Sequence, residues 1–158
     1  MKQLLVLTLA ILSVTVAGMA SAATPPTVLI TGANRGIGLE LARVLAAKGY
    51  KVIGTARDPA DAKDLSAAAD RVEPLDVTDA ASVAALASRL QGVPIDILVN
   101  NAGIARIGPL LDVPEQDWRD SFAVNVDGVF NTSRAVMPGM VARKRGTVVN
   151  LASWLGKR

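Results

Sequence analysis

The run Thr31-Gly32-Ala33-Asn34-Arg35-Gly36-Ile37-Gly38 constrains this chain more than any other feature. It follows the apolar stretch Thr27–Ile30 and leads into 39–46, where Leu41, Val44 and Leu45 recur at helical spacing. Three glycines alone are ordinary turn punctuation, but between a strand and a helix they form a cradle for phosphates. Gly32 permits the tight turn, Gly36 lets a pyrophosphate approach the backbone, and Gly38 lets the helix pack closely on the strand. The free N–H groups and the positive end of the helix dipole then face the ligand.

Beyond the turn, strand and helix patterns alternate. Strands are expected at 51–56, 71–75, 95–99 and 146–151, with helical segments at 60–69 and 79–91. A longer helix starts near Pro114, with Trp118, Phe122, Val126, Val129 and Phe130 as its apolar stripe. The near-continuous apolar run Ile95–Val99 suits a strand buried on both faces. Alternation of this kind predicts an α/β protein with a doubly wound parallel sheet. The right-handed crossover rule places about five strands in the order 3-2-1-4-5, with the ligand crevice above the first strand.

Composition narrows the chemistry. The 158 residues contain no cysteine and no histidine, which excludes disulfides, thiolate nucleophiles, Cys/His zinc sites and imidazole-based triads; no metal site is expected. Hydroxyls, lysine, carboxylates or a cofactor must carry any reaction. The formal charge of +3 is modest, and the one cluster, Arg143-Lys144-Arg145, suits a solvated helix C-terminus. With so few aromatics for base stacking, nucleic acid is not an expected partner.

Residues 1–22 read as a leader. Lys2, the apolar core Leu4–Val16 and the small residues Ala20-Ser21-Ala22 follow the order of a secretory signal peptide, which implies export. An uncleaved membrane anchor is a second reading, since 4–23 is just long enough to span a bilayer. Translation from Met19, leaving a cytoplasmic protein, is a third. Residues 23–26 form a linker, and 27–158 form one domain. No membrane contact is expected unless the leader stays in place.

Taken in order, the motifs resemble those of the short-chain dehydrogenase/reductase family over Thr27 to about Gly156, which implies a Rossmann fold. Thr31 to Gly38 is similar to that family's Thr-Gly-x-x-x-Gly-x-Gly turn, with Gly32, Asn34, Arg35, Gly36, Ile37 and Gly38 as cofactor contacts. Asp76-Val77 resembles the dipeptide that contacts adenine after the third strand, although an Asp-x-Thr turn is its plain alternative. Asn100-Asn101-Ala102-Gly103 resembles the segment closing the fourth strand, so that Asn101, Ala102 and Gly103 would floor the cofactor site. The resemblance makes Asn125 the helix asparagine and Ser153 the serine that holds the substrate carbonyl, the two catalytic candidates. Taken singly, Asn125 could be a solvated or kink-forming asparagine and Ser153 a loop serine.

An acidic residue at the end of the second strand favours NAD, and arginine there favours NADP. Here Ala56 is followed by Arg57, and Arg35 adds a second cation, an arrangement suited to clamping a phosphate. NADP is the expected cofactor. In the rival reading, Asp58 reaches back to the ribose and NAD is preferred. The family's Tyr-x-x-x-Lys pair has no counterpart: Tyr50 is the single tyrosine, with Gly54 four positions on, and the sequence stops five residues after Ser153. The resemblance therefore implies an incomplete, C-terminally truncated copy of an oxidoreductase for small carbonyl or alcohol substrates. It is expected to be inactive as written, with homo-oligomers allowed. A non-catalytic nucleotide-binding module and a non-functional remnant are the alternatives.

Overall fold

Every residue of the strand β1, Thr27–Ile30, is buried, so it has no face to offer solvent and must lie inside the sheet. The computed structural model, which describes residues 24–106 and 108–152, places it at the centre. Around it run α1 (Gly36–Ala47), β2 (Lys51–Ala56), α2 (Lys63–Ala68), β3 (Arg71–Pro74) and α3 (Ala80–Arg89). There follow β4 (Ile97–Asn100), α4 (Glu115–Phe122), α5 (Gly128–Ala142) and β5 (Thr147–Asn150). All strand pairs are parallel and the order is β3-β2-β1-β4-β5, as the crossover rule requires.

Alternation along β1 divides the core in two. Val28 and Ile30 face α1 and α2, meeting Leu39, Ala42, Val52 and Leu65. Leu29 faces α3 and α5, meeting Ile53, Leu86, Leu98 and Met140. Tyr50 packs against the first of these cores. The side chain of Asp79 caps α3 by accepting from Ala81 N at 2.9 Å, which starts that helix where the sequence places it.

At the lower edge of the sheet, Asp96 ties three strands together. Its N–H donates to Thr27 O and its own carbonyl accepts from Thr147 N, both at 2.9 Å. Its carboxylate accepts from Thr27 N at 2.9 Å and from Arg145 Nη2 at 2.7 Å. Because Asp96 serves as this junction, regular pairing of β4 begins at Ile97, two residues later than the apolar run suggests.

The long helix departs from expectation. A π-helical turn, Ala123–Asp127, joins α4 to α5, and the stripe residues Trp118, Phe122, Val126 and Phe130 face outward. The inner face consists instead of Val124, Gly128, Thr132, Ala135, Val136 and Met140. A Cβ at Gly128 would stand 2.7 Å from Val77 Cγ2, so small residues allow the helix to lie close to its neighbours. Large apolar side chains are left for the outside, and apolarity by itself points to the wrong face. Ser153 and the leader positions lie outside the described residues. Among the described residues, no helix is long and apolar enough to cross a membrane.

Two-sided burial sets a clear expectation for stability. Leu29 is 0% exposed and Leu111 is 98% exposed. Leu29→Ala should lower the unfolding free energy by about 2–5 kcal/mol, and Leu111→Ala should leave it within about 0.5 kcal/mol. Urea melts of the two variants, compared at equal slope, check this; similar losses in both would contradict the assignment of the core.

Candidate functional site

The glycine turn passes through two left-handed residues, Gly32 at φ 62° and Gly36 at φ 57°. A Cβ at Gly32 would also meet Ala102 Cα at 2.9 Å, whereas at Gly36 it would meet nothing within 4 Å. Gly32 is thus fixed by its fold neighbours, and Gly36 opens onto free space at the start of α1. A Cβ at Gly38 would collide with the Asn101 amide and come within 2.8 Å of Gly32 O, so α1 can approach the loop only with glycine there.

Hydroxyls and one amide hold this turn in place. Thr31 Oγ1 accepts from the N–H groups of Asn101 and Ala102, both at 3.0 Å. Asn101 Nδ2 donates to Thr31 O at 2.8 Å and to Gly32 O at 3.0 Å. From β2, Thr55 Oγ1 accepts from Gly32 N at 3.2 Å and Thr55 O accepts from Ala33 N at 2.8 Å. With its backbone anchored on both sides, the turn leaves the first N–H groups of α1 facing outward. No side chain caps that helix and no acidic residue occupies its first turn, so its positive end is not neutralised from within.

Asn34, Arg35, Gly36 and Ile37 are exposed around this opening. Arg57 is exposed directly after β2, and neither Arg35 nor Arg57 forms a salt bridge among the described residues. The Asp58 carboxylate is turned into its own loop, accepting from Ala60 N at 2.9 Å. Asp76 Oδ1 accepts from Thr78 Oγ1 at 2.7 Å and from Thr78 N at 2.9 Å. These bonds, aided by the nearby Arg57 charge, hold its carboxyl below the usual range against the opposing effect of burial. Val77 is buried against Gly128, and its carbonyl accepts from Asn131 Nδ2 at 3.3 Å.

Asn125 lies in the π-helical turn, a common feature of functional sites. Both ends of its amide are engaged by Ile104: Oδ1 accepts from Ile104 N at 2.9 Å, and Nδ2 donates to Ile104 O at 2.8 Å. A Cβ at Gly103 would stand 3.3 Å from Asn125 Oδ1. The structure therefore brings Asn125 against the segment following Asn101-Ala102-Gly103, beyond the C-terminal ends of β1 and β4.

Sequence reasoning named Asn100 but missed the polar network it forms beneath this site. Asn100 Oδ1 accepts from buried Thr132 Oγ1 at 2.6 Å, and Asn100 Nδ2 donates to Ser133 Oγ at 3.1 Å and to Asn150 Oδ1 at 2.8 Å. It also missed Thr55, because a threonine in an apolar strand looks like any β-branched residue. The signal for the first group was a pair of asparagines, Asn100 and Asn150, each closing an apolar strand.

The open backbone at Gly36, the uncapped α1 and the exposed guanidiniums of Arg35 and Arg57, which form no salt bridge among the described residues, fit the phosphates of a dinucleotide. A parallel sheet of this order carrying such a turn after its first strand defines a Rossmann-like α/β protein. Residues 26–158 match the model of the short chain dehydrogenase family, and the chain belongs to that family. It is 46% identical over 132 residues to galactitol 2-dehydrogenase (L-tagatose-forming) of Cereibacter sphaeroides, covering 80% of this chain and 52% of that protein. It is 39% identical over 133 residues to 3-oxoacyl-[acyl-carrier-protein] reductase FabG of Escherichia coli (strain K12), covering 81% and 54%. A gluconate 5-dehydrogenase from Burkholderia cenocepacia J2315, solved in complex with NADP and tartrate, superposes with a TM-score of 0.75 at 40% identity, covering 81% of this chain and 53% of that one. The chain spans about half the length of the curated relatives it matches.

The lowered Asp76 pKa makes a signed prediction. A carboxyl depressed in the folded state contributes stability that is complete above its unfolded pKa, about 3.9, and is lost as pH falls through the folded value. Asp76→Asn should therefore be less stable than the parent near neutrality, and the gap should close progressively below about pH 4. Urea midpoints measured between pH 7 and pH 2.5 check it; a constant gap would show that titration of Asp76 is not its origin.

Proposed function

We propose that this chain is the cofactor-binding portion of an NADP-dependent dehydrogenase/reductase acting on a small carbonyl or alcohol. The observation that carries the preference for NADP is the charge around the end of β2. Ala56 stands where an acid would bind a free 2′-hydroxyl, Arg57 follows it, Arg35 is exposed in the glycine turn, neither arginine forms a salt bridge among the described residues, and Asp58 is committed to Ala60 N. The NADP held by the gluconate 5-dehydrogenase neighbour supports the same reading.

In this reading the N–H groups of the 32–38 turn bind the pyrophosphate, and Arg35 and Arg57 clamp the 2′-phosphate. Asp76 and Val77 border the adenine, while Asn101, Ala102 and Gly103 floor the site. When bound, the nicotinamide supplies or accepts hydride. Ser153 holds the substrate carbonyl, and Asn125 fixes the Ile104 backbone beside it so that a carbonyl oxygen there can hold water. The outward stripe of Trp118, Phe122, Val126 and Phe130 suits contact with a second copy of the chain, so a homo-oligomer is part of the proposal.

Calorimetry with NADPH and NADH tests the cofactor. Charge-assisted hydrogen bonds contribute about 1.5–3 kcal/mol, so Arg57→Ala should weaken NADPH binding by roughly 10- to 100-fold and change NADH binding little. Equal affinity of the parent for both cofactors would overturn the preference. Turnover is a separate measurement. General acid–base groups contribute about 10²- to 10⁴-fold, so residues 27–158 by themselves, which hold no Tyr-x-x-x-Lys pair, should oxidise NADPH with a panel of aldehydes and ketones more slowly, by about that factor, than the same stretch extended by a family-type segment carrying the pair. Robust turnover abolished by Ser153→Ala would contradict this.

A further inference from the structure

A cavity of about 440 Å³ lies far from the glycine turn, between α3 and α5 at the lower edge of the sheet. Val83, Leu86, Leu90, Ile95, Ala135 and Val136 give it apolar walls. No carboxylate lines it, and its one cation, Arg143, spends Nη2 on Ile95 O at 2.6 Å. Such a groove favours an apolar, uncharged occupant, because any charge placed there would be desolvated without a partner.

The sequence holds such a segment, and β1 begins beside the groove. Residues 3–34 carry no charged side chain, and Leu5, Leu9, Leu12 and Val16 recur at i, i+4, i+7 and i+11, the spacing of one helical face. The backbone leading back from β1 leaves the sheet at Thr27, which exchanges hydrogen bonds with Asp96, the residue directly after the groove residue Ile95. From Pro26 back to Ala17 there are ten residues, which can span up to about 33 Å. A tether of that length supplies an effective concentration on the order of millimolar, so weak apolar contacts suffice for docking.

We infer that, wherever the N-terminal segment is retained, Leu5, Leu9, Leu12 and Val16 dock into the groove between α3 and α5. The segment then acts as an intramolecular plug, and the residues a membrane or translocation machinery would bind are covered by the domain until they are displaced. This inference rests on the groove and the exit point of β1 and is independent of the cofactor reading.

Hydrogen exchange on the full chain, made by translation without membranes, tests it against the full-length variant L5S/L9S/L12S/V16S. Amides of 86–95 and 136–143 should exchange roughly tenfold more slowly in the parent than in the variant. Ala135→Trp, which fills the groove, should abolish that difference. Because a tryptophan there can disturb packing, a second measurement uses the absence of cysteine from the sequence. Leu9→Cys combined with Ala87→Cys should be bridged within one chain by a short bismaleimide. Equal exchange in parent and variant, protection that survives Ala135→Trp in a folded protein, or bridging only between chains would each overturn the inference.

Discussion

The hydroxyl of Thr31 and the side-chain amide of Asn101 are the contacts on which the rest of the site depends. The backbone must leave β1, pass through two left-handed residues and enter a helix that has no cap of its own. Each of these steps leaves peptide groups without regular partners, and an unmet buried donor or acceptor is costly. Asn101 meets that need from the end of β4, seventy residues beyond Thr31, whose hydroxyl accepts from its N–H, and Thr55 does so from β2. Protein groups on three strands thus support the turn from below. Its upper side, where Gly36 opens and α1 begins, is left for a ligand.

Much of this was legible in the sequence because it follows from local chemistry. The apolar strands, the glycine turn and the order of crossovers are each imposed by patterns a few residues long, and the structure realises them. The long helix was not legible in the same way. Its inward face is set by how closely Gly128, Thr132 and Ala135 can approach Val77 and Asn100, a tertiary constraint that no hydrophobic count registers. The π-helical turn at Asn125 was equally hidden, since its sequence, Ala123-Val124-Asn125-Val126-Asp127, contains neither proline nor glycine to announce it. Motif order singles out Asn125 as a candidate, yet the partner that orients it, the Ile104 backbone, is visible only once the chain has folded.

Beneath the site, Asn100 takes its partners from β5 and from α5 at once. A buried polar group that is fully satisfied has one good arrangement and many poor ones, which confers uniqueness on the packing around it. Asn100 therefore fixes the tip of β5 relative to the tip of β4, and Leu151 N continues this by donating to Asn100 O at 3.0 Å. The segments 101–103 and 150–152 start from one shared platform.

The junction at Asp96 also dictates the order in which the sheet can be made. Thr27 lies 69 positions before its partner Asp96, and Arg145 lies 49 positions after it. On the ribosome, β1 can pair with β2, and β2 with β3, as soon as those segments emerge. The other edge of β1 must wait for β4, and β4 for β5, with a long loop closed at each stage. A half-sheet of β3, β2 and β1 can therefore form first, with β1, central in the finished sheet, left as an open edge.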